Sequence, residues 1–362
     1  MLLTPLRLGL IYCLAFVTLQ AFQAVFLGSL FQQVDSFRVG AWVFGLSFIG
    51  CTLISAIVQP AQLRKALRSW SILIPINVCV ALTWCCYFQA VQLIEPAIVF
   101  TIFSGMVPLG ALLAAHLGLV KVRSSQGRYE KIGHGLIIAA IVILTGVTLS
   151  GHSGFVRGDW TSALAGVTLS AISGCATAFV ILLSVRWHEQ GVGPAVQFGL
   201  RFCLYTLVAM MACYLGLDAK PDVSGSLPFA YIVVIGMLVV ALPLYLMQQA
   251  VPLVSGQRIA GVMALGPGLV FVMQLLDGRI GYATGTLAGL AVYLAGALIA
   301  VFGINTEEGA TRSHLTESVL ALSACGEGCL QTHEAVSGTG SRIGSGIGSL
   351  NDSRTGSQDA RL

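Results

Sequence analysis

The stretch ALTWCCYFQAVQLIEPAIVFTIFSGMVPLGALLAA, from Ala81 to Ala115, returns in altered form as ALPLYLMQQAVPLVSGQRIAGVMALGPGLVFVMQLL, from Ala241 to Leu276. Each copy is an apolar run ending in Gln-Ala-Val (Gln89 to Val91, Gln249 to Val251). A short polar break follows, then a second apolar run with a proline inside it (Pro108, Pro267). The copies begin 160 residues apart, so each half of the hydrophobic chain holds one. A unit of several spans that occurs twice is the pattern of a transport protein built from two repeats.

Outward from this stretch, composition sets the solvent. The chain has 362 residues, of which 56% are hydrophobic and 9% charged, with a mean hydropathy of +0.87. A soluble domain carries roughly 25% charged residues. So little charge cannot cover a water-facing surface, and the chain reads as a polytopic membrane protein in contact with lipid. The net charge of +4 is modest and gives no sign of a nucleic-acid partner. Most of the ten cysteines lie inside apolar runs, which is not a disulfide framework. Cys85-Cys86 as a redox switch is the minor alternative to simple packing. Arg7 followed by a long apolar run, without a small-residue cleavage site, reads as a first spanning helix.

About 20 apolar residues are needed to cross a bilayer. Ten candidate spans occur, at roughly 8–30, 38–58, 70–93, 96–118, 132–150, 160–184, 194–216, 227–250, 253–275 and 281–303. With the N-terminus in the cytoplasm, the cytoplasmic segments hold Arg7, Arg64, Lys65, Arg68, Lys121, Arg123, Arg128, Lys131 and Arg186. The opposite side holds Arg38, Arg157, Lys220 and Arg279. Nine basic residues against four satisfies the positive-inside rule. An even span number returns the C-terminus to the cytoplasm. A five-span unit is odd, so its second copy must lie upside down. The expected fold is therefore all-α, with ten transmembrane helices as a 5+5 inverted repeat: 1–150, then 151–303. Residues 304–362 are rich in Gly and Ser and poor in large apolar side chains, which predicts a disordered cytoplasmic tail. Cys325 and Cys329 alone are too few for a metal site.

Polar and helix-breaking residues inside the spans are the candidates for a solute path. They are Gln20 and Gln23 on the first span, Asn77 and Gln89 on the third, Pro108 on the fourth, Gln197 and Arg201 on the seventh, Gln249 on the eighth, and Arg258 and Pro267 on the ninth. Gln248, Gln257, Gln274 and His116 belong to the same inventory. A mid-helix proline frees a carbonyl, tolerated where it faces protein or a wet cavity. The fourth and ninth spans thus line a central path or carry plain packing kinks. Gln20 and Gln23 share a helix face, turned to a cavity or to interhelical hydrogen bonds. Arg201 stands about two turns into its span, where it binds a solute carboxylate, pairs with an acid, or snorkels. Arg258 lies nearer the cytoplasmic mouth. Gly281, Gly285 and Gly289, like Gly135, Gly146 and Gly296, read as helix-packing positions; this spacing is compatible with a homodimer without requiring one.

Proton coupling needs a titratable group in the path, and no Asp or Glu sits firmly mid-span. Glu95, beside Pro96 at a helix end, is one candidate and His116 another. Otherwise the solute carries its own charge, or transport is passive. No phosphate-binding loop, nucleophile elbow or metal-ligand cluster occurs, so the sequence implies neither an enzyme, nor a cofactor, nor an ATP motor.

The repeated unit resembles the EamA family of the drug/metabolite transporter superfamily. The resemblance rests on YFQAVQLIEPAIVFTIFSGMVPLGALLA and YLMQQAVPLVSGQRIAGVMALGPGLVFVMQLL, on the closing helices GHGLIIAAIVILTG and GTLAGLAVYLAGALI, and on the pair Arg201-Phe202. The chain departs from the family where Gly-Glu usually follows the proline-bearing helix; here stand His116-Leu117-Gly118 and Asp277-Gly278-Arg279. The resemblance covers about residues 8 to 303. It implies a ten-helix carrier in a plasma or inner membrane that moves a small-molecule substrate by alternating access, most often as an exporter. The alternatives are an importer of the same fold and a scaffold or receptor-like subunit.

Overall fold

In the computed structural model, residues 5–31, 33–118, 127–217, 229–250, 253–254, 256–278, 281 and 283–300 are described. The chain divides into Met1–Glu307 and Glu308–Leu362. The second unit, and with it the reading of 304–362 as a tail, lies outside the described residues.

The protein is a multi-pass, all-α membrane protein. Among the described residues, eight helices are long and apolar enough to cross a bilayer. In chain order the elements are α1 (Pro5–Leu30), α2 (Ser36–Val58), a short α3 (Pro60–Arg68), α4 (Trp70–Leu93), α5 (Pro96–His116), α6 (Arg128–Leu149) and α7 (Trp160–Glu189). Then follow α8 (Pro194–Leu200), α9 (Cys203–Tyr214), α10 (Phe229–Gly236), a π-helical turn (Met237–Ala241), α11 (Leu242–Ala250), α12 (Gly256–Met263) and α13 (Gly266–Asp277). Thr284–Ala300, here α14, is apolar but shorter, as is the ninth span over Gly261–Asp277. The only β pairing among the described residues is one isolated antiparallel bridge between Ile94 and Val156. Large side chains such as Ile57, Tyr214 and Leu276 are strongly exposed, as expected of a surface solvated by lipid.

Local chemistry explains most of the boundaries. Asp35 caps α2 by accepting from the N–H groups of Phe37 and Arg38, and Asp159 caps α7 by accepting from Ser162. The Thr161 hydroxyl and the Ser162 N–H hold the exposed Asp159 carboxyl below its ordinary range. Pro96 sits in the first turn of α5, where its missing N–H costs nothing. The segment 59–69, expected as a connecting loop, is mostly the helix α3. Its buried face rests on Ala66, while Arg64, Lys65 and Arg68 stay exposed. Gln62 accepts from the N–H of Gly193 at 2.7 Å, which pins α3 to the turn after α7.

Among the described residues, three spans are interrupted, and all three lie in the second half. The seventh breaks at Arg201–Phe202, between α8 and α9; the eighth widens into the π turn; the ninth breaks at Ala264–Leu265. Pro267 therefore sits in the first turn of α13, whereas Pro108 lies inside the continuous α5. A break one turn before Pro267 relieves the clash its ring would make in an unbroken helix.

The packing pairs elements of the two halves. α4 runs along α7 while α1 runs along α11, α5 packs on α7 while α13 packs on α1, and α4 meets α9 while α2 meets α10. α2 also lies against α8 and α9, with Gly40 at Tyr205 and Gly199 at Cys51 and Thr52, so the two run antiparallel. α6 and α14 are antiparallel too: a methyl on Gly133 would fall 2.6 Å from the Ala300 N, and one on Gly285 would fall 2.8 Å from Val147. Gly285, Gly289 and Gly296 thus occupy a tight helix seam, whereas Gly135, Gly146 and Gly281 have open space around them. The main core is aromatic. Phe44 stacks on Phe202 at 4.5 Å and meets Trp84 at 5.0 Å and Tyr205 at 4.9 Å.

Candidate functional site

The interruption in the seventh span creates a polar centre. A break in a helix inside a membrane leaves backbone groups that need partners. Asn77 of α4 supplies them: its Nδ2 donates to the Leu200 carbonyl and its Oδ1 accepts from the Leu204 N–H, each at 3.0 Å. A third bond, from Nδ2 to the Leu73 carbonyl, occupies its second amide hydrogen. Asn77 therefore clamps the break open, and every bond it makes is to protein backbone.

Arg201 stands at that break and is only 7% exposed. Its Nη1 donates to Gln248 Oε1 at 3.1 Å. Gln248 Nε2 donates to Gln197 Oε1 at 3.0 Å, and Gln197 Nε2 donates to the Val192 carbonyl at 2.8 Å. This chain fixes both amides and runs from α8 to α11. The guanidinium carbon lies 4.9 Å from the ring centroids of both Phe198 and Phe202. The rings interact with the faces of the cation and leave its edge for hydrogen bonding. Of five donors, one has a described acceptor, and Nε is buried without one. Among the described residues Arg201 has no acid partner. A buried charge held only by neutral groups is costly and is an anion-receptive feature.

Other sequence candidates fall elsewhere. Gln23 is 1% exposed on α1, with both amide atoms buried and unpartnered. Gln20 is buried on the same helix. α1 packs on α4, α5, α11 and α13, so this face looks into the protein. Gln89, half-buried, reaches toward Ser36 at 3.5 Å, at the far end of α4 from Asn77. Twelve residues of helix put about 18 Å between the two along the axis. Pro108 is half-buried on α5, near Gly105 and Gly110, which approach α6 and α7. Pro267 is buried, beside Gly266, which abuts Phe100 and Val17. Gln249 is half-buried on α11. The side chain of Arg258 lies outside the described residues. The structure thus joins Gln197, Arg201 and Gln248, with Asn77 bracing them, and separates them from Gln89.

A second centre lies at the other end of the bundle. Glu95, at the turn between α4 and α5, is fully buried. Its Oε1 accepts from Gln274 Nε2 of α13 at 2.7 Å. Its Oε2 accepts from the Gly154 N–H and from Thr286 Oγ1 of α14, each at 2.9 Å. Gln274 Oε1 in turn accepts from the Ala97 N–H at 3.3 Å. The sequence places Glu95 at a helix end. It offers no sign that Gly154 and Thr286 close over it, because those partners lie 59 and 191 residues away. Beside this knot is a cavity of about 560 Å³ between the 151–154 and 281–285 segments.

No protein-family profile matches this chain, and no curated protein matches it. A solved structure described only as "Crystal structure of protein" superposes on it with a TM-score of 0.52 at 17% identity, over 82% of this chain and 96% of that one. Identity that low speaks for a shared fold alone.

Proposed function

We propose that the protein is a secondary carrier of the EamA type, built as two five-span halves in opposite senses, that moves a small metabolite by alternating access. Its favoured direction is export. The observation that carries the reading is Arg201: a buried guanidinium with donors to spare, at a clamped helix break, tied by a hydrogen bond to Gln248 of α11. A solute with a carboxylate or another strong acceptor group would complete its hydrogen bonding and offset its charge.

The packing supports the two-half reading. Exchanging each helix of the first half for its counterpart in the second turns the α4–α7 contact into α11–α1, the α5–α7 contact into α13–α1, and the α2–α10 contact into α9–α4. Counterparts that touch, α2 with α8–α9 and α6 with α14, run antiparallel, as inverted units require. The interruptions confined to the second half suit a moving element, since breaks and π turns are local sites of backbone adjustment.

The test is reconstitution of the purified protein in liposomes loaded with a labelled mixture of cellular metabolites and supplied with no ATP. A carrier releases particular labelled solutes faster than empty liposomes do, and unlabelled solute outside accelerates their exit. A release profile identical to that of empty liposomes sinks the reading in favour of a scaffold.

A further inference from the structure

Among the described residues Glu95 is the only buried acid. Among the described residues its carboxylate accepts three hydrogen bonds, all from neutral donors, Gln274, Gly154 and Thr286. The N-terminal end of α5, which it opens, adds a favourable dipole. The ring of donors suits the ionised form. In the acid form the new O–H would face the Gln274 amide or the Gly154 N–H, both donors, and only the Thr286 hydroxyl can turn to accept. The knot joins α5 of one half to α13 and α14 of the other, and Gly154, one of its donors, lines the adjoining cavity.

We propose that Glu95 is a proton-operated latch at the external end of the carrier. Ionised, it holds α5, α13 and α14 together. A proton taken from external water through the cavity removes an acceptor from the ring, loosens the knot and lets that end open. The sidedness rests on the carrier reading given above. Among the described residues, the charged or titratable groups on the elements around Glu95 are His152, Arg157 and Asp159 in the loop, Asp277 at the end of α13, and Asp35 and Arg38 at the start of α2; Arg279, between α13 and α14, lies outside them. Each of the described groups is exposed or half-exposed.

Opening can be read without any cargo. Thr101 lies one turn beyond Ala97 on α5, is fully buried and bonds the Ala97 carbonyl. In a Thr101→Cys protein, the reaction of that thiol with a membrane-impermeant maleimide reports whether the end has parted, measured above the background of the protein without the substitution. With Glu95 present, acidifying the external medium is expected to speed labelling, relative to a free small-molecule thiol at the same pH, about tenfold or more, the factor of losing a charge-assisted hydrogen bond. The reagent itself slows in acid, because the thiolate is the nucleophile, so it cannot produce such a rise. With Glu95→Gln added, labelling relative to the same free thiol is expected to be fast and flat with pH. Thr286→Val should speed it at neutral pH and keep the acid response, and His152→Gln should leave the response unchanged.

Labelling that ignores pH with Glu95 present overturns the latch. So does a response that survives Glu95→Gln or disappears with His152→Gln. If Glu95→Gln does not reach the membrane, unaltered labelling in Thr286→Val overturns it instead. A protein that shows the acid response yet moves no solute in liposomes would sink the carrier reading and leave the latch standing.

Discussion

Arg201→Ala is expected to lower solute flux about 10- to 100-fold, the loss of one or two hydrogen bonds from a charged donor, while membrane abundance and thermal stability hold. The two effects separate because of where the charge sits. A guanidinium in the lipid-spanning region, flanked by Phe198 and Phe202 and bonded only to the neutral Gln248, costs desolvation energy that its surroundings do not recover. Removing it relieves that cost. It also leaves Gln248 Oε1 without its donor, a penalty of about 1–3 kcal/mol that works the other way. The two terms are of similar size and opposite sign, so folding changes little. Arg201→Lys keeps the charge but loses the planar fork, and its flux should stay closer to alanine than to arginine. Equal falls in flux and abundance would mean instead that Arg201 anchors the fold.

The second large effect concerns α6. Gly133→Ala would drive a methyl to within 2.6 Å of the Ala300 N and the Gly296 carbonyl oxygen, main-chain atoms that cannot turn aside. The seam between α6 and α14 must then open, at an expected cost of about 1–3 kcal/mol. Gly135, two residues along the same helix, has nothing within 4 Å of the position its methyl would take. Gly135→Ala should be neutral or stabilise by up to about 1 kcal/mol through helix propensity. Thermal unfolding of both variants in detergent provides the comparison. Equal stability would place the seam elsewhere. The contrast also shows why glycine spacing alone misleads: both residues fit a packing pattern, and one turns its Cα to a neighbouring backbone.

Much of the architecture was legible because the lipid dictates it. The third span, expected at 70–93, is α4 at Trp70–Leu93, and Pro96 opens α5 as its fixed φ requires. The break at Arg201–Phe202 was not legible. Nothing in FGLRFCL forces a stop there, and the group that stabilises it, Asn77, comes from more than a hundred residues away. Asn77 itself was read as a path residue on polarity alone; the structure gives it a clamping role that polarity cannot foretell. Glu95 is the counterpart. A carboxylate next to a proline at a helix end has the local signature of a solvated turn, and its burial is created by Gly154, Gln274 and Thr286. The α3 helix had a readable signature in Pro60 and the cluster Arg64, Lys65 and Arg68, a pattern equally suited to a charged loop.

The claim that the two halves lie in opposite senses is tested most directly at their corresponding first turns. Gln33 follows α1 and Glu189 ends α7, and both are exposed. Single cysteines there, Gln33→Cys and Glu189→Cys, can be challenged in intact cells with a membrane-impermeant thiol reagent. Inverted halves predict that the Gln33→Cys protein reacts in intact cells and that the Glu189→Cys protein reacts only once the membrane is opened. Reaction of both from the same side would contradict the account.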